Sequence, residues 1–260
     1  MAESLIFVQN YCMGQEIPFE HLKTDDIMAY ALMQYHLHQT NKVLWVRTNH
    51  TDFDEYHLPY FFRTWKEMPL LEQKALELSN GRVLDVGAGT GIHALELQKI
   101  GIECKAIDIS ELSVRIMKDR GVQNAEHIDF YKLTDEKFDT LLFLMNGIGL
   151  VKRMSGFKNF FKKCKELLNP GGQILFDSSD LIYLFEEEDG SFLIDLNEHY
   201  YGEVDFEVKF DGITSKPFPW LFIDFDNFQF QAEKYGFQAE LIETGAHYDY
   251  LARVMQKEEI

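Results

Sequence analysis

The segment VLDVGAGTGIHALELQ, residues 83–98, combines an apolar run, a turn of small residues and a stretch with helical spacing. It predicts a buried strand that passes through a tight turn into a helix. Glycine tolerates positive φ angles and carries no Cβ, so a ligand can approach the backbone of such a turn closely. The turn therefore predicts a site for a nucleotide-like ligand. Its small residues are Gly87, Ala88, Gly89 and Gly91.

Strand and helix patterns alternate through the middle of the chain. Apolar runs predict strands at 82–87, 103–109, 126–130, 138–146 and 172–178, and helical patterns begin near Gly91, Glu111 and Ser155. This alternation predicts an α/β fold, a Rossmann-like, doubly wound and mostly parallel sheet with helices on both faces. Ligands of such sheets bind beyond the carboxyl ends of the strands, near the point where the strand order reverses.

The alternation is absent at both ends of the chain. Near the N-terminus a helix is predicted over residues 24–39, with Thr24 as its cap, and a second helix starts at Pro69. Near the C-terminus a helix at 226–235 is followed by QAELIETG and HYDYLARVMQ, which predict two closing strands. We therefore expect a seven-stranded sheet whose last strand is antiparallel.

A β-hairpin is predicted before these closing elements. The stretch HYYGEVDFEVKFDG alternates with period two, and PFPWLFIDF is its expected partner. The expected organisation is a helical N-terminal cap or lid over residues 1–80 and a core over 81–260. The hairpin forms an insertion in that core at about 196–224.

The composition limits the location and the classes of partner. Lys and Arg number 25 against 43 Asp and Glu, a formal net charge of −18, which disfavours nucleic acid and anionic membranes as partners. No uncharged apolar stretch approaches the ~18 residues of a membrane span, and no secretory signal is expected. The three cysteines, Cys12, Cys104 and Cys164, form no CxxC pair. Free thiols and a cytoplasmic location are expected.

Two positions in the glycine segment indicate which ligand it binds. A dinucleotide turn of the form GxGxxG requires glycine at position 92, which is Ile92 here. No Gly-Lys-Ser/Thr sequence follows, which excludes a phosphate-binding loop. A carboxylate at Asp85 would repel a pyrophosphate, but it can serve a cationic ligand directly or through water.

Acidic residues also end the next two predicted strands. Asp108 can accept hydrogen bonds from both hydroxyls of a ribose, or it can cap the following helix. Asp129 can accept from an exocyclic amine, or it can be an ordinary surface acid. Phe130 offers an apolar wall for a flat base.

Five motifs together carry a family resemblance. VLDVGAGTG, AIDIS, HIDF, FDTLLFLMNGIG and LLNPGGQILFD resemble, in order and spacing, the motifs of class I S-adenosylmethionine-dependent methyltransferases. In that family the glycine turn contacts the methionine part of the cofactor and the second-strand acid binds ribose. The third-strand region holds adenine, and the residues after the fourth strand face the reacting methyl group. The implied S-adenosyl-L-methionine-binding residues are Asp85, Gly87, Ala88, Gly89, Gly91, Asp108, Ile109, Asp129, Phe130, Asn146 and Gly147.

The chemistry of methyl transfer leaves the catalytic residue unassigned. In an in-line displacement at a sulfonium the protein mainly aligns the nucleophile and excludes water, and a base is needed only if the acceptor must lose a proton. His57 is a candidate for such a base, and Asn146 is a candidate because it would lie near the methyl group. No [DN]PP[YFW] motif and no cysteine lies near residue 146, which argues against adenine, glutamine and cytosine-carbon methylation.

The acceptor side is expected from the stretch DEYHLPYFFRTW and from the insertion. The stretch is the natural lid, and its Arg63 can meet a carboxylate of the cofactor or of an acidic substrate, or pack as a surface residue. Residues after the fifth strand reach the ligand edge. The acceptor-binding candidates are Tyr56, Tyr60, Arg63, Ser179, Tyr201 and Trp220. No metal site is predicted, because His36 and His38 lie on different sides of a helix.

We therefore expect an S-adenosylmethionine-dependent methyltransferase that moves a methyl group to a small-molecule acceptor by in-line displacement. A protein that binds the cofactor without catalysis is an alternative. A less favoured alternative is an oxidoreductase that uses NAD(P), which Ile92 and Asp85 oppose. The sequence identifies neither the acceptor nor the oligomeric state.

Overall fold

The computed structural model describes residues 26–194 and 199–257. Thr24 and Cys12, which carry two of the expectations above, lie outside the described residues. Within these ranges no helix combines the length and the apolar character needed to cross a bilayer. The described residues form two β-sheets, one of seven strands and one of five.

A seven-stranded sheet lies at the centre of the molecule. Its strands in chain order are β3 (Val83–Val86), β4 (Cys104–Asp108), β5 (Ala125–His127), β6 (Phe138–Phe143), β7 (Leu168–Ser179), β11 (Phe237–Thr244) and β12 (Asp249–Gln256). The spatial order is β11-β12-β7-β6-β3-β4-β5. The pairs from β5 to β7 are parallel, and β12 runs antiparallel between β7 and β11. The predicted mostly parallel sheet with an antiparallel last strand is confirmed.

Helices cover both faces of this sheet. They are α2 (Leu70–Leu78), α3 (Ile92–Lys99), α4 (Glu111–Asp119), α5 (Phe157–Leu167) and α6 (Phe225–Lys234). The period of two along β7 assigns the faces, because successive side chains of a strand point to opposite sides. Ile174 and Phe176 pack with α5 and α6, whereas Leu175 packs with α2 and α3. Two hydrophobic cores result, one on each face.

A smaller antiparallel sheet combines distant parts of the chain. Its strands are β1 (Leu44–Arg47), β2 (Asp54–Tyr56), β8 (Glu203–Phe210), β9 (Ile213–Thr214) and β10 (Phe218–Leu221). The order is β10-β8-β1-β2, with β9 paired to β8. The predicted hairpin is present as the β8–β10 pair. Its other edge pairs with β1, which comes from the region before the core.

The region before the core contains the expected helix and, in addition, two strands that were not predicted. Helix α1 (Ile27–His38) is present, but β1 and β2 follow it. The helix packs with β1, β8 and Ile116 of α4 around a separate apolar cluster that includes Leu32 and Phe210. The strands escaped prediction because β2 is exposed along its whole length and therefore has no apolar alternation. The division at residues 80 and 81 stays a prediction.

Two phenylalanines of α6 test the assignment of the core between α5, α6 and the central sheet. Phe228 is fully buried against Phe176 and Phe157, whereas Phe230 is 64% exposed on the same helix. We expect Phe228→Ala to lower the free energy of unfolding by about 3–5 kcal/mol, because the lost contacts leave a cavity. Phe230→Ala should change it by less than about 0.5 kcal/mol. Urea unfolding of both variants measures the difference, and equal losses would contradict this assignment of the core.

Candidate active site

The strand order brings four segments to one edge of the central sheet. The chain moves from β3 to β4 and β5 on one side and returns to β6 and β7 on the other, so the order reverses at β3. A crevice opens at such a point beyond the carboxyl ends of the strands. Four sequence features meet there: the glycine turn after β3, Asp108 at the end of β4, Asn146 after β6 and Asp177 near the end of β7.

The three glycines of the turn have two different roles. All adopt positive φ angles, 68° at Gly87, 55° at Gly89 and 77° at Gly91. A Cβ added at Gly91 would lie 2.7 Å from Cγ2 of Val122, so that glycine is required for packing. A Cβ at Gly87 or Gly89 would meet no atom of the described residues within 4 Å. These two glycines therefore border open space in which a ligand can approach the backbone.

Asp108 is fixed beside the turn by two backbone amides. Its Oδ2 accepts a hydrogen bond from the N–H of Gly89 at 2.9 Å, and its Oδ1 accepts from the N–H of Ser110 at 2.8 Å. Burial raises the pKa of Asp108, and these two amides partly oppose the rise. Helix α4 is capped by the hydroxyl of Ser110 itself, so the capping role considered for Asp108 belongs to its neighbour. The adjacent Ile109 is 73% exposed although it is apolar.

The third predicted position differs in part from the expectation. Asp129 lies beyond β5 and its Oδ1 accepts from the N–H of Tyr131 at 2.9 Å, at the start of a short 3-10 turn. Phe130 is only 5% exposed and its ring packs against Phe143 and Phe160. The expectation that Phe130 forms an open wall for a base is not met in this arrangement, because its ring belongs to the core.

Asp85 is a buried carboxylate with an unused oxygen. The residue is 1% exposed, and its Oδ2 has no hydrogen-bond partner among the residues that the structure describes. Burial raises the pKa of Asp85 to about 6, although the charge of His93 and the backbone N–H of Ala94 oppose the rise. Unpaired buried carboxylates are costly, so this one calls for a ligand or a functional explanation.

A buried ionic network fixes the lid segment beside Asp85. The carboxylate of Glu72 accepts hydrogen bonds from the guanidinium of Arg63 and bonds Nε2 of His93 at 2.9 Å. Burial alone would raise the pKa of Glu72, but His93 and then Arg63 hold it below its ordinary value. Nη1 of Arg63 donates to the carbonyl of Tyr60 at 2.6 Å. Arg63 is thus an internal residue paired within the chain, and the surface position considered for it was wrong.

One atom of this network remains free. Nε of Arg63 is buried and has no hydrogen-bond partner within the described ranges.

The lid segment is also bonded to the glycine turn. The carbonyl of Phe61 accepts a hydrogen bond from the hydroxyl of Thr90. Arg120 also donates to the carbonyl and hydroxyl of Thr90, at 2.6 and 2.9 Å. The segment 58–67 is therefore attached directly to the turn.

The turn after β6 is linked to the insertion. Met145 and Asn146 both have positive φ angles, 58° and 57°. The side chain of Asn146 accepts from the hydroxyl of Ser178 at 3.0 Å and donates to the carbonyl of Leu221 at 3.5 Å. The indole of Trp220 lies so close to Gly149 that a Cβ there would be 1.9 Å from its Nε1. Gly147 lies between Asn146 and Gly149 and begins the 3-10 turn that contains Gly149.

The remaining acceptor-side candidates are dispersed around this edge. Tyr56 and Tyr60 are 42% and 44% exposed. His57 is exposed just before the lid turn, and its carbonyl accepts from the N–H of Tyr60 at 3.0 Å. Ser179 ends β7, half-buried, and the hydroxyl of Tyr201 donates to Oδ1 of Asp180 at 2.6 Å. Their roles in binding or catalysis stay predictions.

Sequence reasoning missed Asp177 as a site residue. It is half-buried, and its Oδ1 accepts from the N–H of Asn146 at 3.1 Å. Burial and the charge of Glu72 raise its pKa to about 7. The available signal was its place near the end of a strand next to β6, but Ser178, Ser179 and Asp180 share that signal. Glu72 was missed as well, because a glutamate in an amphipathic helix gives no sign of burial.

Comparisons with known proteins show which family the chain resembles. A family model described as a methyltransferase domain matches residues 83–172. A solved structure of a SAM-dependent methyltransferase from Bacteroides fragilis, in complex with S-adenosyl-L-homocysteine, is 47% identical. That match covers 90% of this chain and 96% of the other, with a TM-score of 0.84.

Two curated relatives match a smaller part of the chain. The ubiquinone biosynthesis O-methyltransferase of Pasteurella multocida is 28% identical over 121 residues, which are 42% of this chain and 50% of that protein. The putative methyltransferase YqeM of Bacillus subtilis is 30% identical over 129 residues, 46% of this chain and 49% of that protein. The chain therefore spans about half the length of these relatives. Because the Bacteroides protein matches along nearly its whole length, this chain belongs to the class I S-adenosylmethionine-dependent methyltransferases.

Proposed function

We propose that this protein is an enzyme that transfers a methyl group from S-adenosylmethionine to a small-molecule acceptor. The observation that carries the proposal is a pair of buried polar atoms without partners among the described residues, Oδ2 of Asp85 and Nε of Arg63. They lie in segments that meet at the glycine turn. One can accept from an ammonium and the other can donate to a carboxylate, which matches the amino-acid end of this cofactor.

The other end of the crevice fits a nucleoside. Asp108 would hold the two ribose hydroxyls, and the exposed apolar side chain of Ile109 would cover the adenine, with Asp129 near its amino group. The open space beside Gly87 and Gly89 admits the ligand to the backbone. Two carboxylates at this turn, Asp85 and Asp108, disfavour a phosphate-bearing ligand such as NAD. When bound, the cofactor supplies an electrophilic methyl group on a cationic sulfur, which an acceptor atom displaces in line.

The acceptor would enter between the lid and the insertion. Trp220 and Leu221 of β10 contact the turn that contains Asn146, so the insertion lies over the end of β6. The Bacteroides protein was solved with S-adenosyl-L-homocysteine, which supports the proposed cofactor. The Pasteurella relative is named for a small-molecule pathway, which supports a small-molecule acceptor. A cytoplasmic location belongs to the same proposal, supported by the free thiols of Cys104 and Cys164.

The ribose assignment can be tested with Asp108→Asn. Isothermal titration should show S-adenosylhomocysteine binding to the wild type near 1:1, and the variant should bind at least about 10-fold more weakly because charge-assisted hydrogen bonds are lost. Asp135→Asn, in the exposed loop before β6 at the opposite edge of the sheet, removes the same charge and should leave the affinity unchanged. Equal affinity of wild type and Asp108→Asn would remove the ribose assignment.

Asp85 provides a second test, in which stability and binding move in opposite directions. Its raised pKa means that burial penalises the ionised form, so the penalty is absent below pH 3.8, grows as the pH rises and is complete above about 6. We expect Asp85→Asn to stabilise the ligand-free protein at pH 7.5 by at most about 3 kcal/mol and to lose this advantage near pH 4.

The same variant should bind S-adenosylhomocysteine more weakly, because the ammonium loses its counter-charge. Thermal unfolding across this pH range and titration at pH 7.5 measure the two effects. A variant that is less stable at pH 7.5 and binds normally would show that Asp85 is a structural residue.

A further inference from the structure

We propose that the acceptor is an amine, held with its nitrogen beside Asp177 and surrounded by the tyrosine arc of Tyr56, Tyr60, Tyr183 and Tyr248. The inference rests on the proposed function, because it concerns the acceptor side of the same crevice. It adds a substrate class and a binding residue that membership of the family does not specify.

Asp177 has the position and the free capacity that this role needs. It lies near the carboxyl end of β7, the strand next to β6, and is joined to the backbone N–H of Asn146. Within residues 26–194 and 199–257, no lysine, arginine or histidine side chain lies at ion-pair distance from Asp177. The nearby charge of Arg63 is already neutralised by Glu72. His93 lies close enough to oppose the rise in the pKa of Asp177, but its Nε2 is bonded to Glu72. Asp177 therefore has no ion-pair partner of its own among the described residues.

The tyrosine arc continues from Asp177 to the rim. Burial is the main cause of the raised pKa of Tyr60, and Asp177 and Tyr56 lie close enough to raise it further. Burial likewise raises the pKa of Tyr56, and the nearby Tyr183 adds to that rise. The rings of Tyr183 and Tyr248 stack at 5.6 Å between centroids. The four side chains come from β2, the lid turn, the segment after β7 and the turn before β12, and are 42–50% exposed. Exposed aromatic side chains grouped in this way indicate a binding surface.

The charges around this surface select the class of ligand. Arg63 and Glu72 neutralise one another, and His93 is bonded to the same Glu72. Asp177 and Asp180 remain as the anionic groups of the region. An acidic or phosphorylated acceptor would be repelled, whereas an ammonium is attracted by carboxylates and by tyrosine rings. The relatives named for ubiquinone biosynthesis leave more than half of this chain unmatched, so they do not fix its acceptor class.

An ammonium must lose a proton before its nitrogen can act as a nucleophile. The carboxylate of Asp177 can accept it: one N–H bond breaks, one O–H bond forms, and the nitrogen lone pair is released. Burial and Glu72 raise the pKa of this carboxyl to about 7, which brings it closer to that of an amine and eases the transfer. The site then contains a neutral amine beside a neutral acid, which avoids leaving two opposite charges in the crevice.

The test uses three ligands of similar size that differ in charge. The protein is saturated with S-adenosylhomocysteine and titrated with phenethylamine, 2-phenylethanol and 3-phenylpropanoate. We expect phenethylamine to bind at least about 10-fold more tightly than the other two. No preference for the amine, or tighter binding of the alcohol or the acid, would overturn the proposal. Failure of S-adenosylhomocysteine to bind would instead overturn the proposed function.

Variants then assign the preference to particular residues. Asp177→Asn retains an oxygen for the N–H of Asn146, so it should still bind S-adenosylhomocysteine while the preference for the amine disappears. Asp135→Asn should retain the preference for the amine. Tyr183→Leu should weaken phenethylamine binding several-fold, whereas Tyr183→Phe, which keeps the ring, should not. An amine preference that survives in both Asp177→Asn and Tyr183→Leu would show that other groups bind the amine.

Discussion

The buried carboxylate of Glu72 joins the parts on which the site depends. It belongs to α2 and bonds Arg63 of the lid segment and His93 of α3 at the same time. A buried ion pair contributes little to stability once the desolvation of its charges is included. Its effect here is positional, because it attaches the lid to the helix that begins at the glycine turn. It also neutralises Arg63, which leaves the carboxylates of the crevice in excess.

The proposed acceptor side is built from segments that lie outside the matched methyltransferase region. Strands β1 and β2 precede residue 83, and β8 and β10 follow residue 172, yet they form one sheet. This sheet has its own apolar cluster and contacts the core through Ile116 and through the turn after β6. A relative that shares only the core provides little information about the acceptor.

The sequence was sufficient for the central sheet because buried parallel strands are apolar runs and the glycine turn has few structural solutions. It was insufficient where the outcome depends on partners distant in sequence. The pairing of Trp45 with Lys209 fixes β1, but neither residue indicates the other. Arg63 looked like a free cation, since only the folded chain places Glu72 against it. Phe130 looked like a ligand wall, since its packing on Phe160 depends on how α5 lies across the sheet.

Electrostatics connects stability to function in this crevice. Burial raises the pKa values of Asp85 and Asp177 to about 6 and about 7, so both would be easier to accommodate as neutral acids. Ionisation of these two carboxyls near neutral pH destabilises the ligand-free protein, and the packing of its two hydrophobic cores must offset this loss of stability. A cationic ligand returns part of that free energy on binding, because it binds the folded state alone. The same burial that destabilises these carboxylates therefore increases their selectivity for positive charge, since attraction in a poorly solvated crevice is weakly screened.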